Sequence, residues 1–370
     1  MEVIGGLLLI HSVPFVTESR AISLGTLASE LTMAGDVTSR PSDHTVRFSG
    51  GIPCNAAGEP LNNIINSRSG PALPDGTPAA CTFSSKPKDG YGDYHHKMTT
   101  YIDLVCRHVS EIDPLVTART YRVVDIAVAN TPFRYLDTHS GRAEIGELNA
   151  RFSRQKVAIL GLGGSGSYIL DFVAKSHVSE IHLFDGDEFF QHNAFRAPGA
   201  ATVEQLTNVP NKADHFAVIY SGMRAGVISH PYFVDSERVS ELDDMDFVFV
   251  AVDNNDARRL VVGHLQEVSV PFVDVGMGLI LTESGLTGSL RMTASGADPR
   301  SIPTDGGDQA NEYATNIQIT ELNAILAAMA VVHWKKRFGF YADFEHERHS
   351  VYQIDGNEIL NEGSAETDPA

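Results

Sequence analysis

The chain has 370 residues, of which 42% are hydrophobic and 20% charged, and its formal net charge at pH 7 is −19. A single hydrophobic core rarely exceeds roughly 250 to 300 residues, so this length predicts two domains. The negative charge argues against nucleic acid as the main partner, because such binding depends on Lys and Arg neutralising phosphates, and no apolar run reaches the roughly 18 residues that a membrane span requires.

Residues 1–145 are predicted to form an N-terminal α+β domain. Short apolar stretches alternate there with Gly, Pro, Asn and Ser, a pattern typical of strands and turns. Over His95–Ile112 the apolar residues recur at three- and four-residue spacings, which predicts an amphipathic helix that closes the domain. The apolar segment Met1–Ile10 has no basic flank, so a buried strand fits it better than a signal peptide.

The cysteines indicate a reducing compartment. Their number is odd, no two form a CxxC pair, and nothing suggests export. We therefore expect a cytoplasmic protein without a structural zinc site, in which the thiols are small buried core groups. The three cysteines are Cys54, Cys81 and Cys106.

The start of the predicted helix, Tyr91–Met98, has two interpretations. Asp93 with His95 and His96 could bind a metal or move protons. Adjacent histidines point in different directions on a helix, however, and Asp93 is a good N-cap residue. We favour the second interpretation and expect this domain to dock a partner.

Residues 146–355 are predicted to form a second domain of alternating strands and helices, with a mostly parallel, doubly wound, Rossmann-like α/β sheet. The run Arg119–Val128 leads into it, and a polar, Gly-rich loop at Ser295–Thr315 precedes a final helix at Asn316–Trp334. Residues 356–370 are acidic and rich in small side chains, so a mobile tail is expected. The other predicted strands and helices are Lys156–Leu160, Ser167–Lys175, Glu180–Asp185, Asn211–Ser221, Phe247–Ala251, Ala257–Glu267 and Phe272–Val275.

A glycine-rich turn, Gly161–Gly166 with the sequence GLGGSG, joins the first strand of this domain to its first helix. Gly161 permits the tight turn, Gly163 lets the backbone approach a phosphate, and Gly166 allows the helix to pack closely on the strand. Unpaired N–H groups at the start of the helix attract an anion. The turn, which also contains Gly164, therefore predicts a nucleotide phosphate site.

Charged and polar side chains accumulate after the glycine turn. Asp185 ends the next strand, where a carboxylate can accept hydrogen bonds from a ribose, and this much suits NAD as well as ATP. Further cations and carboxylates are not needed for hydride transfer, whereas nucleotidyl transfer uses them to neutralise phosphate charge and to hold Mg²⁺. The carboxyl ends of strands share one crevice in such sheets, so we expect these groups to meet there. They are Asp187, Asn193, Arg196, Lys212, Asp253 and Asn254.

These motifs together resemble the ThiF/MoeB/ubiquitin-activating family of adenylyltransferases. They are a GxGGxGS turn, a DxD pair, an Asn and an Arg that follow it, a later Lys, and a strand that ends in DN; the Leu and Gln of the family's NLxRQ segment are replaced here. The resemblance implies that Asp185 binds ribose and Asp253 binds Mg²⁺, with Asn254 shaping the same strand end. The implied phosphate ligands are Asn193, Arg196 and Lys212, and the implied catalytic residues are Arg196, Lys212 and Asp253.

The segment Arg151–Gln155 is similar to the RYxRQ element with which family members can supply an arginine to a neighbouring subunit's ATP. Here it directly abuts the first strand at Lys156, whereas a short helix and loop usually separate the two. A role in trans for Arg151 or Arg154 and a solvated basic turn are therefore both open.

The chain departs from the family pattern in the step after adenylation. Several relatives transfer the acyl group to a cysteine in the loop after the sheet, but no cysteine comes after Cys106 here. The alternatives are direct transfer to a partner's nucleophile, an oxyester at a loop hydroxyl such as Ser301 or Thr304, and attack by an N-terminal cysteine. A hydroxyl needs an adjacent base, so we favour direct transfer, then the oxyester.

The resulting hypothesis is an activating enzyme of a bacterial ubiquitin-like conjugation pathway, which uses ATP and Mg²⁺ to adenylate the C-terminal carboxylate of a small ubiquitin-like protein. The resemblance also implies a homodimer, a conjugating-enzyme partner and an N-terminal docking module, which could itself be a degenerate conjugating-enzyme fold. The alternatives are an NAD-dependent oxidoreductase, adenylation of a peptide or another small carboxylate, and an inactive scaffold that binds a ubiquitin-like protein.

Overall fold

The chain divides into two compact units, Met1–Glu147 and Leu148–Ala370, which are called unit 1 and unit 2 below. Each has a hydrophobic core of its own. In the part of the chain that the structure describes, no helix is both long and apolar enough to cross a membrane. The structure is a computed structural model, and the residues that it describes are 1–35, 37–119, 131–143, 145–297 and 317–363.

Unit 1 combines an antiparallel sheet with one long helix, as the α+β prediction requires. Its strands are β1 (Glu2–Ile4), β2 (Leu7–Val16), β3 (Ile22–Glu30), β4 (Met33–Ala34), β5 (Val37–Thr38), β6 (Thr45–Ser49), β7 (Ile65–Ser67) and β8 (Cys81–Ser84), and its helices are α1 (Tyr94–Ser110) and α2 (Thr138–Arg142). Six strands form one sheet in the order β1-β2-β3-β6-β8-β7, and β4 pairs with β5 separately.

Aromatic rings fill the space between this sheet and α1. Phe48 lies at ring-centroid distances of 5.3 Å from both Phe15 and Phe83, and Tyr101 of α1 continues the series 6.0 Å from Phe83. All four side chains are fully buried. The helical periodicity in the sequence thus corresponds to a real packing face, because the buried residues of α1 recur on the side that meets the sheet.

The start of α1 is an ordinary helix cap. The Asp93 carboxylate accepts a hydrogen bond from the His96 backbone N–H at 2.7 Å, which satisfies one of the free donors of the first turn. His95 and His96 are both exposed. The N-cap interpretation of this segment is therefore confirmed.

Unit 2 contains alternating strands and helices around a large sheet. Its elements are α3 (Gly146–Ala150) at the unit boundary, β9 (Lys156–Leu160), α4 (Gly164–Ala174), β10 (Glu180–Phe184), α5 (Gln191–Ala194), α6 (Val203–Thr207), α7 (Lys212–Ser221), β11 (Val227–His230), a 3-10 helix (Val239–Leu242), β12 (Phe247–Val250), α8 (Asn255–Glu267), β13 (Phe272–Thr282), β14 (Gly285–Ala294), α9 (Thr320–Arg337), β15 (Glu347–Gln353) and β16 (Glu358–Gly363). The sheet order is β11-β10-β9-β12-β13-β14-β15-β16.

The pairing in this sheet changes at β13. Strands β11, β10, β9, β12 and β13 are parallel to their neighbours, and β13 to β16 pair antiparallel. Helices cover both faces of the parallel part: Ile159 and Phe249 pack toward Trp334 of α9, while Leu160 and Val248 pack toward α8 on the other face. The predicted mostly parallel, doubly wound α/β fold is confirmed. Burial on both faces explains why these strands are continuous apolar runs.

The C-terminal end differs from the expected mobile tail. Residues Glu358–Gly363 form β16, which pairs with β15 and places Leu360 opposite Val351. The open hydrogen-bonding edge of β15 and the apolar pair Ile359 and Leu360 favour a strand there, in spite of the acidic composition. Residues 364–370 lie outside the described part, as do positions 120–128 and 298–316 of the sequence segments discussed above.

Candidate functional site

A cleft in unit 2 opens at the carboxyl ends of β9, β10, β12 and β13. Its empty volume, counted together with open solvent, is about 1140 Å³. The parallel strands all end at this edge, which is why residues far apart in sequence meet there. The predicted site residues that line it are Gly161, Gly163, Gly164, Asp185, Asp187, Arg196, Lys212, Asp253 and Asn254.

The glycine turn between β9 and α4 is shaped by two glycines that accept no side chain. Gly161 has a φ of +82°, and an added Cβ would lie 2.6 Å from the Ala251 carbonyl oxygen, just beyond the end of β12. At Gly166 an added Cβ would collide with the carbonyl oxygen of Gly161. These two positions therefore hold the turn against the neighbouring strand and bring the start of α4 to the cleft.

The next two glycines face different surroundings. An added Cβ at Gly163 would meet nothing within 4 Å, so this residue leaves open space at the cleft. Gly164 lies against the side chain of Asn323 and donates its N–H to Gln318 Oε1 at 3.3 Å. Residues around the start of α9 thus pack against the glycine turn, a contact that the local sequence did not predict.

Asp185 is a buried organiser of the turn. Its side chain is only 5% exposed, and its two oxygens accept hydrogen bonds from the backbone N–H groups of Leu162, at 2.6 Å, and Asp187, at 2.9 Å. Burial raises the pKa of Asp185, and the nearby Lys212 and these two N–H groups oppose that rise. The carboxylate therefore ties the glycine turn to the end of β10 at the same time as it lines the cleft.

Lys212 brings a positive charge to the cleft. Its ammonium nitrogen lies 2.7 Å from Asp187 Oδ2 and 3.8 Å from Asp185 Oδ1. Lys212 is nearly buried, whereas more than half of the Asp187 side chain is exposed. The Asn211 side chain caps α7 and so fixes Lys212, the first residue of that helix, at the cleft.

Arg196 is the second cation, and it lies half-buried at the cleft. Burial lowers the pKa of Arg196, and the neighbouring Asp253 carboxylate opposes this. Asn193 precedes it on α5, is almost fully buried, and accepts the Phe190 N–H at 2.9 Å. Among the described residues, neither Arg196 Nε nor Asn193 Nδ2 has a hydrogen-bond partner.

Asp253 and Asn254 come after β12 and are both exposed in the cleft. The Asn254 side chain caps α8, since its Oδ1 accepts the N–H groups of Asp256 and Ala257 at 2.9 and 3.0 Å. Its structural role is thus to begin a helix at the strand end. Asp253 is left free to face the cleft.

An ion-pair network that the sequence interpretation missed supports the far side of the cleft. Arg258 on α8 lines the cleft and pairs with the fully buried Asp274 of β13 at 3.0 Å, and Arg291 of β14 binds the other Asp274 oxygen at 2.6 Å. Arg258 also donates to the Val252 carbonyl oxygen. A lone Asp inside the apolar run of β13 was the available signal, because a buried carboxylate requires cationic partners.

Other candidate residues lie away from the cleft or outside the described part. Arg151 and Arg154 are exposed, and the Arg151 guanidinium donates to the Gly339 carbonyl oxygen. Neither of the two lines the cleft. The loop hydroxyls of Ser301 and Thr304 lie outside the described residues.

No cluster of three His, Cys, Asp or Glu side chains suited to a metal ion occurs within the described ranges. At nucleotide sites Mg²⁺ commonly takes most of its oxygen ligands from phosphate and water, together with one or two carboxylates. Asp253 fits such a site, because it is an exposed carboxylate at a strand end.

The fold and the cleft define a nucleotide-binding α/β domain with an adenylyltransferase fold. Residues 140–359 match the ThiF family. This match spans more than half of the chain, so the chain belongs to the ThiF family, and the predicted family membership is confirmed. Residues 1–138 match a domain of unknown function, DUF6791.

Solved structures with a similar fold share little sequence with the chain. A crystal structure of E. coli MccB with succinimide has 15% identity and a TM-score of 0.45, covering 58% of this chain and 66% of that one. PaaA has 15% identity and a TM-score of 0.49, covering 73% of this chain and 82% of its own. The chain thus spans slightly less than two thirds of MccB. A comparison with curated proteins found no match.

Proposed function

We propose that the chain binds ATP and Mg²⁺ in this cleft and adenylates the C-terminal carboxylate of a small ubiquitin-like protein. A carboxylate oxygen of that partner would attack the α-phosphorus of ATP. The bond between the α-phosphorus and the bridging oxygen to the β-phosphate breaks, pyrophosphate leaves, and an acyl adenylate forms. The product retains the energy of the phosphoanhydride in a mixed anhydride.

The observation that carries this proposal is the pair of cations at the glycine turn. Lys212 and Arg196 approach the cleft from α7 and from the end of α5, and both are at least half-buried. Positive charge held in such a place stabilises the charge that develops on the α-phosphate and on the departing pyrophosphate. Hydride transfer from NAD develops no such charge, so this arrangement favours the adenylyltransferase over the oxidoreductase.

The remaining cleft residues have proposed roles in binding. Asp253 would hold Mg²⁺ against phosphate oxygens, and the metal would neutralise phosphate charge there. The N–H groups at the start of α4 would bind phosphate together with the Arg196 guanidinium, which lines the cleft. Asn193 is almost fully buried and does not line the cleft, and its phosphate role is the one that the family resemblance implies. Asp185 would bind the ribose, and the exposed Asp187 carboxylate lies beside it.

The proposed partner and assembly rest on the family resemblance. The proposed substrate is the C-terminal tail of a ubiquitin-like protein, with a conjugating enzyme as a later partner and unit 1 as a docking module. The protein would act as a homodimer in the cytoplasm of a bacterium. A peptide or another small carboxylate is the alternative substrate, and pyrophosphate exchange separates it from a ubiquitin-like protein.

The proposed acyl acceptor is a nucleophile on the partner. Burial raises the pKa of Cys81 to about 12 and that of Cys106 to about 11, and it also raises the pKa of Cys54. A thiol is a good nucleophile only as the thiolate. These shifts disfavour an N-terminal cysteine as the acceptor and leave direct transfer as the preferred route, ahead of an oxyester at Ser301 or Thr304.

Pyrophosphate exchange into ATP tests the proposal with two matched variants, each of which replaces an aspartate by asparagine. Asp253→Asn should lower exchange by about 10²- to 10³-fold, because it removes the proposed metal ligand. Asp256→Asn removes an exposed acid three positions away that does not line the cleft, and it should retain full exchange. The assay uses ATP, Mg²⁺ and a candidate ubiquitin-like protein encoded nearby.

The outcomes separate the alternatives. Exchange that requires the intact C terminus of the ubiquitin-like protein supports the proposal, and exchange with short peptides alone points to the peptide reaction. Binding of NAD but not of ATP would favour the oxidoreductase. If the protein binds ATP but shows neither pyrophosphate exchange nor an AMP ester at saturating substrate, the result would favour the inactive scaffold.

A further inference from the structure

A continuous chain of hydrogen-bonded side chains runs beside the cleft, at the edge of the unit 2 sheet. It is called the histidine chain below, and its members are Glu180 and His182 of β10, His230 of β11, Tyr232, and Glu241 of the 3-10 helix. The distances are 3.2 Å from Glu180 Oε2 to His182 Nε2, 3.0 Å from His182 Nδ1 to His230 Nε2, 2.8 Å from His230 Nδ1 to Tyr232 Oη, and 2.8 Å from Tyr232 Oη to Glu241 Oε2.

The Tyr232 hydroxyl sets the direction of the hydrogen bonds along the histidine chain. Tyr232 donates its hydroxyl proton to the Glu241 carboxylate, so a neutral His230 donates from Nδ1 to Tyr232 and accepts at Nε2. His182 then donates from Nδ1 to His230 Nε2. This arrangement requires His230 to be neutral, because its Nε2 accepts a hydrogen bond.

The surroundings of His230 favour its neutral form. Burial lowers the pKa of His230, His182 adds to that effect, and Glu241 opposes it. The other charged groups at the chain are Lys156, whose Nζ lies 3.8 Å from Glu180 Oε2, and Arg238, whose guanidinium lies 4.9 Å from the centre of the Tyr232 ring. A proton added to His230 Nε2 would remove the acceptor for His182, so acid breaks the histidine chain at that junction.

The histidine chain adjoins the wall of the cleft. The ring of His230 stacks on Phe184 at a centroid distance of 4.1 Å and an angle of 6°. Phe184 lines the cleft directly before Asp185, and Phe233, the neighbour of Tyr232, lines it as well. The Phe233 ring lies over Gly186, where an added Cβ would approach it to 2.7 Å. Anchoring His230 and Tyr232 thus fixes two aromatic side chains of the wall.

We propose that the histidine chain positions Phe184 and Phe233 for nucleotide binding, and that protonation of His230 makes the affinity for ATP depend on pH. This inference depends on the proposed function, since it assigns positioning residues to the same nucleotide site. The histidine chain is complete at a pH above the ordinary titration range of histidine, where His230 is neutral. It breaks as the pH falls well below about 6.5 and His230 gains a proton.

Calorimetry of ATP binding tests the inference. The dissociation constants of Tyr232→Phe and of the wild type are compared from about pH 7.5 to about pH 5. Tyr232→Phe keeps the ring and removes the link from His230 to Glu241. It should weaken binding about 3- to 10-fold at pH 7.5, as expected for lost hydrogen bonds. The ratio of the two dissociation constants should approach 1 at low pH, where the wild-type chain is already broken. Titration of ATP itself cancels in this ratio.

Two further variants control the experiment. His230→Phe keeps an aromatic ring on Phe184 but has no ring nitrogens, so it should reproduce the profile of Tyr232→Phe. His264→Gln alters another partly buried histidine, paired with Asp243 at 2.6 Å and outside the chain, and it should give a ratio of about 1 throughout. A ratio for Tyr232→Phe that is constant with pH, or near 1 at pH 7.5, would overturn the inference.

Nitrogen NMR shifts of the full-length protein provide the second measurement. At pH 7.5 we expect His230 to carry a proton on Nδ1 only, and a proton on His230 Nε2 at this pH would also overturn the inference. If the wild type does not bind ATP at all, the proposed function fails, while the NMR shifts still test the charges in the chain. If ATP binds and only the pH profile is absent, the proposed function is unaffected.

Discussion

The glycines of the glycine turn, Gly161–Gly166, differ in the surroundings that a side chain would meet. Gly161 combines a φ of +82° with a close approach to the Ala251 carbonyl oxygen, whereas Gly163 has a φ of −68° and open space where a Cβ would stand. The first position therefore depends on glycine for folding. Gly163 needs to be glycine only if a ligand fills the space beside it. Substitutions of Gly161 and Gly163 therefore test the nucleotide site at the scale of single residues.

We expect Gly161→Ala and Gly163→Ala to separate stability from binding. Gly161→Ala should lower the free energy of unfolding by about 2 kcal/mol or more, because it adds backbone strain and a steric clash. Gly163→Ala should change it by less than about 0.5 kcal/mol but weaken ATP binding at least about 10-fold, since the methyl group would take phosphate space. Urea unfolding and calorimetric ATP titration measure the two effects, and unchanged ATP binding by Gly163→Ala would contradict the predicted phosphate position.

At the scale of elements, α1 carries a lysine into the core of unit 1. Lys97 is fully buried, and its Nζ donates to Ser29 Oγ at 2.8 Å and to the Asp43 carbonyl oxygen at 3.0 Å. Burial lowers the pKa of Lys97 to about 8, although Asp43 and Glu30 oppose the shift. A position on the buried face of a helix, between apolar neighbours, thus holds a group that titrates below its usual range.

Loss of the Lys97 proton should therefore add to the stability of unit 1 as the pH rises in the alkaline range. Between pH 8 and 10.5 the unfolded chain binds the Lys97 proton and the folded one does not, so this group increases the free energy of unfolding with pH, by up to about 3 kcal/mol at 1.36 kcal/mol per unit. The buried thiols of Cys81 and Cys106 oppose this increase above about pH 9 in the wild type and in every variant alike, because burial raises their pKa values. Lys97→Met should lack this increase, and Lys175→Met, which alters an exposed lysine, should retain it. Urea unfolding followed by circular dichroism measures it, with fluorescence of the only tryptophan, Trp334, reporting on unit 2. Equal pH slopes for the wild type and Lys97→Met would refute the prediction.

At the scale of the whole molecule, the acidic balance requires that phosphate binding be local. A net charge of −19 repels polyanions in general, so affinity for ATP has to come from the few cations gathered in the cleft. The same chain has only three cysteines, all in unit 1. Because no cysteine lies in unit 2, the proposed direct transfer is favoured over a thioester formed within that unit.

The intact mass of the protein should be unchanged after incubation with ATP and its ubiquitin-like substrate. Direct transfer leaves no covalent bond to the chain after denaturation, so only the substrate should gain the mass of an adenylyl group. The double variant Ser301→Ala with Thr304→Ala should give the same spectrum. A chain heavier by one substrate and restored by hydroxylamine would show an oxyester or a thioester instead, and the double variant would distinguish the two.

The sequence determined the elements whose signals are local. The hydrophobic periods of α1, β9, β10 and β12 predicted their positions to within a few residues, because burial on one or two faces imposes the period directly. The strand predicted at Phe272–Val275 continues to Thr282, and β11 was not predicted. The antiparallel extension from β14 to β16 escaped prediction. Its strands are partly exposed and polar, and their pairing depends on the open edge of β13 rather than on their own composition.

The candidate site divides in the same way. The glycine turn, the DxD pair and the strand end at Asp253 could be found from the sequence, because each comes directly after a recognisable apolar strand. The contacts of Gln318 and Asn323 with the turn, the Arg258–Asp274–Arg291 network and the histidine chain could not. These groups come from distant parts of the chain, and only the stacking of β10, β11, β13 and α9 around one sheet edge brings them together. The sequence by itself thus determined the glycine turn between β9 and α4 and predicted a phosphate site there, and the tertiary structure decided which charges and rings surround it.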